Sequence, residues 1–147
     1  MQLDLVIFYG SARTARQGIK AARFIQQQCQ ARGHKTPLIE PLAHPLPLLD
    51  RMYKEYAAGE APPVLQQIAD AVTAADGYLI VSGEYNHTVP PGLSNLLDHF
   101  LEQYFFKPSG IVSYSAGPFG GVRAAMTLRG MLGRAGTPSL SSNPPLP

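Results

Sequence analysis

Three short stretches carry the residues best suited to chemistry. The first is Gly10-Ser11-Ala12-Arg13-Thr14-Ala15-Arg16-Gln17-Gly18, which runs from an apolar segment into a helix-like repeat. The free N–H groups and dipole of a helix start favour an anion. Ser11, Thr14 and Gln17 offer further donors, and Arg13 or Arg16 can add a charge-assisted bond of roughly 1.5–3 kcal/mol. The stretch matches neither GxxxxGK[ST] nor GxGxxG, and nothing in it holds magnesium, so the anion it suits is a phosphate that stays bound. The competing reading is a polar loop with two solvated arginines. The second stretch, Gly83-Glu84-Tyr85-Asn86, supplies backbone groups, a carboxylate, a phenol and an amide within four residues. Such a loop can read the edge of a heterocycle while Tyr85 packs on or beside its face. The third, Ser115-Ala116-Gly117-Pro118-Phe119-Gly120-Gly121, has glycines that let backbone approach a planar ligand closely. Taken singly, the second and third stretches also read as ordinary turns.

Other reactive residue types point to no chemistry of their own. His34, His44, His87 and His99 lack metal-ligand spacing. His87, two residues past Tyr85, is a candidate for touching a substrate. Position 113 is Ser, so Ser115 does not sit in a G-x-S-x-G elbow. Cys29 is the sole cysteine, which excludes an internal disulfide, and its place on an apolar stripe makes it a core residue.

The elements that must position these loops follow from periodicity. LDLVIFY (3–9), YLIVS (78–82) and GIVSYS (110–115) are short, β-branched and bounded by turns, as buried strands are. Residues 35–40 form a weaker strand, and the tail GTPSLSSNPPLP can supply a fifth. Ile19, Ala22, Ile25 and Cys29 define one helix, closed at Gly33. Leu65, Ile68, Val72 and Ala75 define a second. Pro90 and Pro91 start a third, whose wide apolar stripe runs from Leu93 to Phe105 and stops at Pro108. A fourth spans Val122 to about Arg134. The Pro-rich stretch 41–63 reads as a surface excursion with one helical turn near 51–58. Alternating strands and helices predict a parallel sheet covered on both faces, with loops 10–18, 83–90 and 115–121 opening on one edge.

Composition bounds the possibilities. With 147 residues, 45% hydrophobic and 15% charged, the chain suits one domain and not a disordered tail. A net charge of +2 is too small for nucleic acid to be the main partner, and no apolar run approaches a membrane span. The N-terminus is no signal peptide, which leaves a cytoplasmic domain as the expectation.

In these motifs the chain resembles the NADPH-dependent FMN reductase family. The GSxRxxS-like first loop appears as residues 10–16, the PEYN motif and the helix start after it as GEYNHTVPPGLSNLLDHF (83–100), and the S-x-G-x-x-GG loop as Ser115–Gly121. Gly83 stands where Pro is usual, Ser94 where Lys is usual, and Arg16 or Gln17 where a small hydroxyl is usual. The resemblance implies a flavodoxin-like, doubly wound, five-stranded parallel sheet with helices on both faces, lacking the helix that normally follows the fifth strand. A buried strand left bare there would be an association site. It implies FMN as cofactor, with its phosphate at Ser11, Arg13, Arg16, Gln17 and Gly18. Its ring system would lie against Glu84, Tyr85, Asn86 and the loop carrying Ser115, Gly117, Gly120 and Gly121. The activity implied is electron transfer from NADPH or NADH through FMN to a small acceptor: free flavin, a quinone, an azo compound or a metal oxyanion. No acid, base or nucleophile is assigned, because such chemistry belongs to the flavin.

The alternatives are a non-enzymatic flavin-binding or electron-carrier module, and a relative that binds no flavin and acts by association. Carriers of the flavodoxin kind tend to be acidic, and the basic balance here favours the enzyme. Phe100, Tyr104, Phe105 and Phe106 are more aromatic than one helix face needs, so the cluster reads as part core and part contact of a homodimer or higher oligomer.

Overall fold

The structure, a computed structural model, describes residues 1–140 and the strand Pro145–Leu146. The elements are β1 (Leu5–Tyr9), α1 (Ile19–Ala31), β2 (Leu38–Ile39), α2 (Pro63–Ala74), β3 (Gly77–Ser82), α3 (Pro91–Asp98), β4 (Ser109–Tyr114), α4 (Val122–Arg134) and β5 (Pro145–Leu146). All strand pairs are parallel, in the order β2-β1-β3-β4-β5. That order is the flavodoxin-like one, and it places the switch in winding direction between β1 and β3. The sheet is in substance four strands. The fifth shrinks to a two-residue pairing of Pro145 and Leu146 with Ser113 and Tyr114. Proline has no N–H to give to a ladder, so a Pro-rich tail makes a poor full strand. The rest of the tail expected there, residues 141–144 and 147, lies outside the described residues.

Strand residues alternate between two unequal faces. Val6, Phe8, Tyr78, Ile80 and Ile111 point into the larger core, where α2, α3 and α4 bury Leu65, Ile68, Val72, Leu93, Leu96, Leu128 and Leu132. Each such fully buried aliphatic side chain contributes about 1.5–3 kcal/mol. Ile7, Tyr9 and Val81 point to the other face, which α1 covers with Ala22, Ile19 and Ile25. α1 packs over β1 and β2, so Leu79 and Val112, farther along the sheet, stay half-buried. With so little sheet to cover, α1 fully buries only Ala22. Cys29 is therefore half-buried and not the core residue that its spacing predicts.

The long third helix is also corrected. α3 stops at Asp98, and a 3-10 turn at Glu102–Tyr104 follows it. The Pro-rich excursion docks at the break, where Tyr53 N–H donates to the His99 carbonyl at 2.8 Å. Its own single turn, Tyr53–Glu55, falls inside the expected stretch. The apolar stripe was thus two surfaces. Phe100 and Tyr104 are buried with Phe8 and Tyr78, while Phe105 and Phe106 are 39% and 95% exposed.

Candidate functional site

At the carboxyl edge of the sheet the three Gly-rich loops meet around a cavity of about 620 Å³. Sites for small molecules and cofactors run from roughly 300 to 1,000 Å³. Ser11, Arg13, Arg16, Gln17 and Gly18 line it from the first loop, Glu84 and Tyr85 from the second, and Ser115 from the third. Asn86, Gly117, Gly120 and Gly121 lie outside the lining. A second hollow, about 290 Å³ and mostly apolar, sits between α3, the 102–104 turn and α4, away from this edge.

Side chains tie the loops to one another. Ser11 Oγ and the Tyr85 hydroxyl share a hydrogen bond of 2.7 Å, joining the first loop to the second. Residues 85–88 close a two-residue hairpin, with Tyr85 and Thr88 exchanging both backbone bonds at 3.0 Å. Asn86 and His87 occupy its tip with φ of 50° and 63°. Two left-handed residues make this a type I′ turn, which Asn fits well and His fits at a cost. The Glu84 carboxylate reaches the start of α4, where Oε2 accepts the N–H groups of Arg123 at 2.9 Å and Ala124 at 3.1 Å. Its Oε1 lies 3.3 Å from His87 Nδ1. Burial works to raise the Glu84 pKa, but the hydrogen bonds from Ala124, His87 and Arg123 prevail and hold it below its ordinary value. Arg123 Nη1 also lies 3.0 Å from His87 Nδ1, so a bare Nδ1 accepts from Arg123 and a protonated one donates to Glu84.

The third link is Tyr114, at the end of β4. Its ring lies against Gly18 so closely that a Cβ there would stand 2.0 Å from Cζ. A Cβ on Gly83 would stand 3.2 Å from the same ring. Both glycines therefore make room for Tyr114, and Gly83, where Pro is usual, sits beside it. The Tyr114 hydroxyl donates to the Tyr9 hydroxyl at 3.2 Å, and burial pushes its pKa well up, so it stays protonated. Tyr9 and Tyr114 both line the cavity, and the sequence reading missed them. The signal was available: both end strands, and both fall on the parity that faces α1.

The first loop leads to a helix start with no side-chain cap and no acidic residue in its first turn. Among the described residues the N–H groups of Gln17, Gly18 and Ile19 find no protein acceptor. Arg13 and Lys20 line the cavity and make no side-chain hydrogen bond or ion pair among the described residues. Arg16 differs from them. Its Nη2 is 2.7 Å from Glu40 Oε1, just past β2, in a pair whose side chains are 15% and 10% exposed. Its charge is thus answered from within, and Arg13 and Lys20 remain as the open cations. Gln17 makes only a long contact of 3.5 Å to the Ala15 carbonyl. Ser115 Oγ donates to Gly117 O at 2.8 Å, shaping its own loop. Gly120 and Gly121, at φ 59° and 74°, turn the chain into α4, and a Cβ on Gly121 would meet the Tyr114 carbonyl oxygen at 2.7 Å. A Cβ on Gly117 would meet nothing within 4 Å.

This donor set fits a phosphorylated planar cofactor. Unanswered N–H groups and two open cations suit a phosphate, and the hairpin and third loop offer a wall of backbone beyond it. Among the described residues no cluster suits a metal ion and no helix is long and apolar enough to cross a membrane.

Comparison with known proteins agrees with this geometry. The family model for NADPH-dependent FMN reductase matches residues 3–144. A quinone reductase of Escherichia coli is 36% identical over 75 residues, covering 48% of this chain and 40% of the relative. An NAD(P)H-dependent FMN reductase of Pseudomonas aeruginosa is 38% identical over 84 residues, covering 53% and 45%. A probable NADPH:quinone oxidoreductase of rice is 39% identical over 87 residues, covering 57% and 43%. The matched stretch is thus less than half of each relative's length. Among solved structures, the NAD(P)H:(acceptor) oxidoreductase FerB of Paracoccus denitrificans superposes with a TM-score of 0.75 at 21% identity, covering 95% of this chain and 75% of that one. A flavodoxin variant of Pseudomonas aeruginosa gives 0.62 at 18% identity, covering 99% and 83%. At these identities the structures show the fold alone.

Proposed function

The chain belongs to the NADPH-dependent FMN reductase family, and from that premise we propose that it binds FMN at the carboxyl edge of the sheet and works as a reductase drawing electrons from NADPH or NADH. The observation that carries this reading is the start of α1, uncapped and flanked by Arg13 and Lys20, opening into a cavity that all three loops share. Arg13 and the N–H groups of Gln17, Gly18 and Ile19 would hold the phosphate. The Tyr114 ring and the Tyr9 hydroxyl form the floor beside it. The hairpin at 85–88 and the loop carrying Ser115 would hold the ring system, chiefly with backbone groups. Bound FMN supplies the two-electron chemistry between the nicotinamide and an acceptor, and the protein positions it and shields it from water.

The acceptor class in this reading is a small oxidant such as a quinone or free flavin, and azo compounds or metal oxyanions belong to the same class. Quinone reductases among the relatives support the first. The working state in this reading is a cytoplasmic homo-oligomer, for which the exposed Phe105 and Phe106 are candidate contacts. The test is an absorbance spectrum of the purified protein with FMN added, recorded anaerobically before and after NADPH. Flavin retained through gel filtration and bleached by the nicotinamide is the expected result. Protein that takes up no FMN refutes the reading.

A further inference from the structure

α4 begins without local help. Its N-cap, Gly121, offers no side chain, and its first turn holds no acidic residue. Nor can position 121 supply a cap. Its φ is 74°, and a Cβ there would lie 2.7 Å from the Tyr114 carbonyl oxygen. The acceptor for the Arg123 and Ala124 N–H groups therefore comes from Glu84, 39 and 40 residues away in sequence. The second oxygen of the same carboxylate faces His87, at the strained tip of the hairpin. Three groups thus engage the carboxylate, and its side chain is only 10% exposed. One anion spans the two walls against which a ring system would rest.

We propose that Glu84 is a positioning residue: its carboxylate latches the hairpin at 85–88 to the first turn of α4, so that both walls of the ring slot hold one spacing. The inference rests on the FMN reading of the site. It differs from the reading in which Glu84 contacts the ligand, since here the side chain acts through the backbone of α4. Removing the latch frees the hairpin tip and leaves two helix amides without a partner. The affected end of the ligand is the ring, not the phosphate, because the phosphate cradle lies at α1.

The test compares full-length wild type, E84A and E84Q. Riboflavin and FMN binding are followed by flavin fluorescence and by the visible spectrum, and exchange of the Arg123 and Ala124 amides by mass spectrometry or NMR. E84A is expected to weaken riboflavin and FMN by the same factor, roughly tenfold or more, as loss of a charge-assisted pair of bonds implies. It should also speed exchange of both amides and shift the spectrum of bound riboflavin. E84Q keeps one oxygen and should recover part of each effect. E84A that binds riboflavin like wild type while the two amides exchange fast overturns the positioning role. Unchanged amide exchange in E84A overturns the latch itself. Wild-type protein that binds neither flavin defeats the FMN reading instead. If E84A does not fold, E84Q against wild type carries the test, and riboflavin affinity must then fall in step with amide protection.

Discussion

α1 and α4 both start at a glycine N-cap that offers no side chain, and both starts lie at the carboxyl edge of the sheet. Their first turns are served differently. At α4 a carboxylate delivered from the hairpin fills the amide positions. At α1 the Lys20 and Ala21 amides turn back onto the Gln17 and Gly18 carbonyls, those of Gln17, Gly18 and Ile19 find no acceptor among the described residues, and the nearby unpaired charges are positive. The helix dipole is the same in both, so the groups that answer each first turn decide which start can receive a foreign anion. Of two helix starts at one sheet edge, one is answered by a carboxylate from within, which leaves the other as the side on which an anion can dock.

The largest effect expected from breaking this contrast is at Gly121. G121A places a methyl against the Tyr114 carbonyl oxygen and forces a left-handed alanine, which should cost about 3 kcal/mol. Urea denaturation midpoints measure it. A cost below that of an ordinary helix-start alanine would mean that α4 does not begin as described.

R13A sharpens the contrast from the other side. It should weaken FMN by roughly 10- to 100-fold, the worth of one charge-assisted bond, and leave riboflavin unchanged. Equal loss for both ligands would move the phosphate away from α1.

These two effects indicate what the sequence disclosed. The Ser11–Gly18 loop, the helix from Ile19 and the helix from Val122 were legible, because polar small residues gave way to apolar residues at helical spacing. The convergence of three loops followed from alternation of strands and helices. The traffic between loops was not legible. Nothing local to Glu84 says that its partner is the backbone at Arg123, and nothing local to Arg16 says that Glu40 answers it, since both are long-range pairings. Phe105 misled because an apolar run has no period that marks a break, and the contact that Tyr53 makes with His99 at the break is long-range.

A third prediction concerns pH. The Glu84 pKa lies below its ordinary value of 4.5 in the folded protein, so the unfolded chain binds the proton more readily. The stabilisation is therefore present above the ordinary carboxylate value and is lost as pH falls through the lowered pKa. In E84Q the slope of stability against pH should flatten in that acid window. A slope identical to wild type would show that the carboxylate gains nothing from α4.

The smallest expected effect is at the hairpin tip. H87G relieves one left-handed side chain, and folded-state relief outweighs the extra freedom of the unfolded chain by about 0.5 kcal/mol. A rise in Tm of a few degrees or less is the expected result. A fall would mean that the imidazole's contacts with Glu84 and Arg123 hold the turn together.

The half-buried Cys29 has a practical use. It is the only thiol in the chain, and it rides on the same helix whose first turn would form the proposed anion cradle. Ten residues separate it from Ile19, about 15 Å along the axis at 1.5 Å per residue. A maleimide dye attached there would stand clear of the cradle yet within energy-transfer range of any chromophore lodged in it. Occupancy could then be read by donor quenching without altering a residue that lines the cavity.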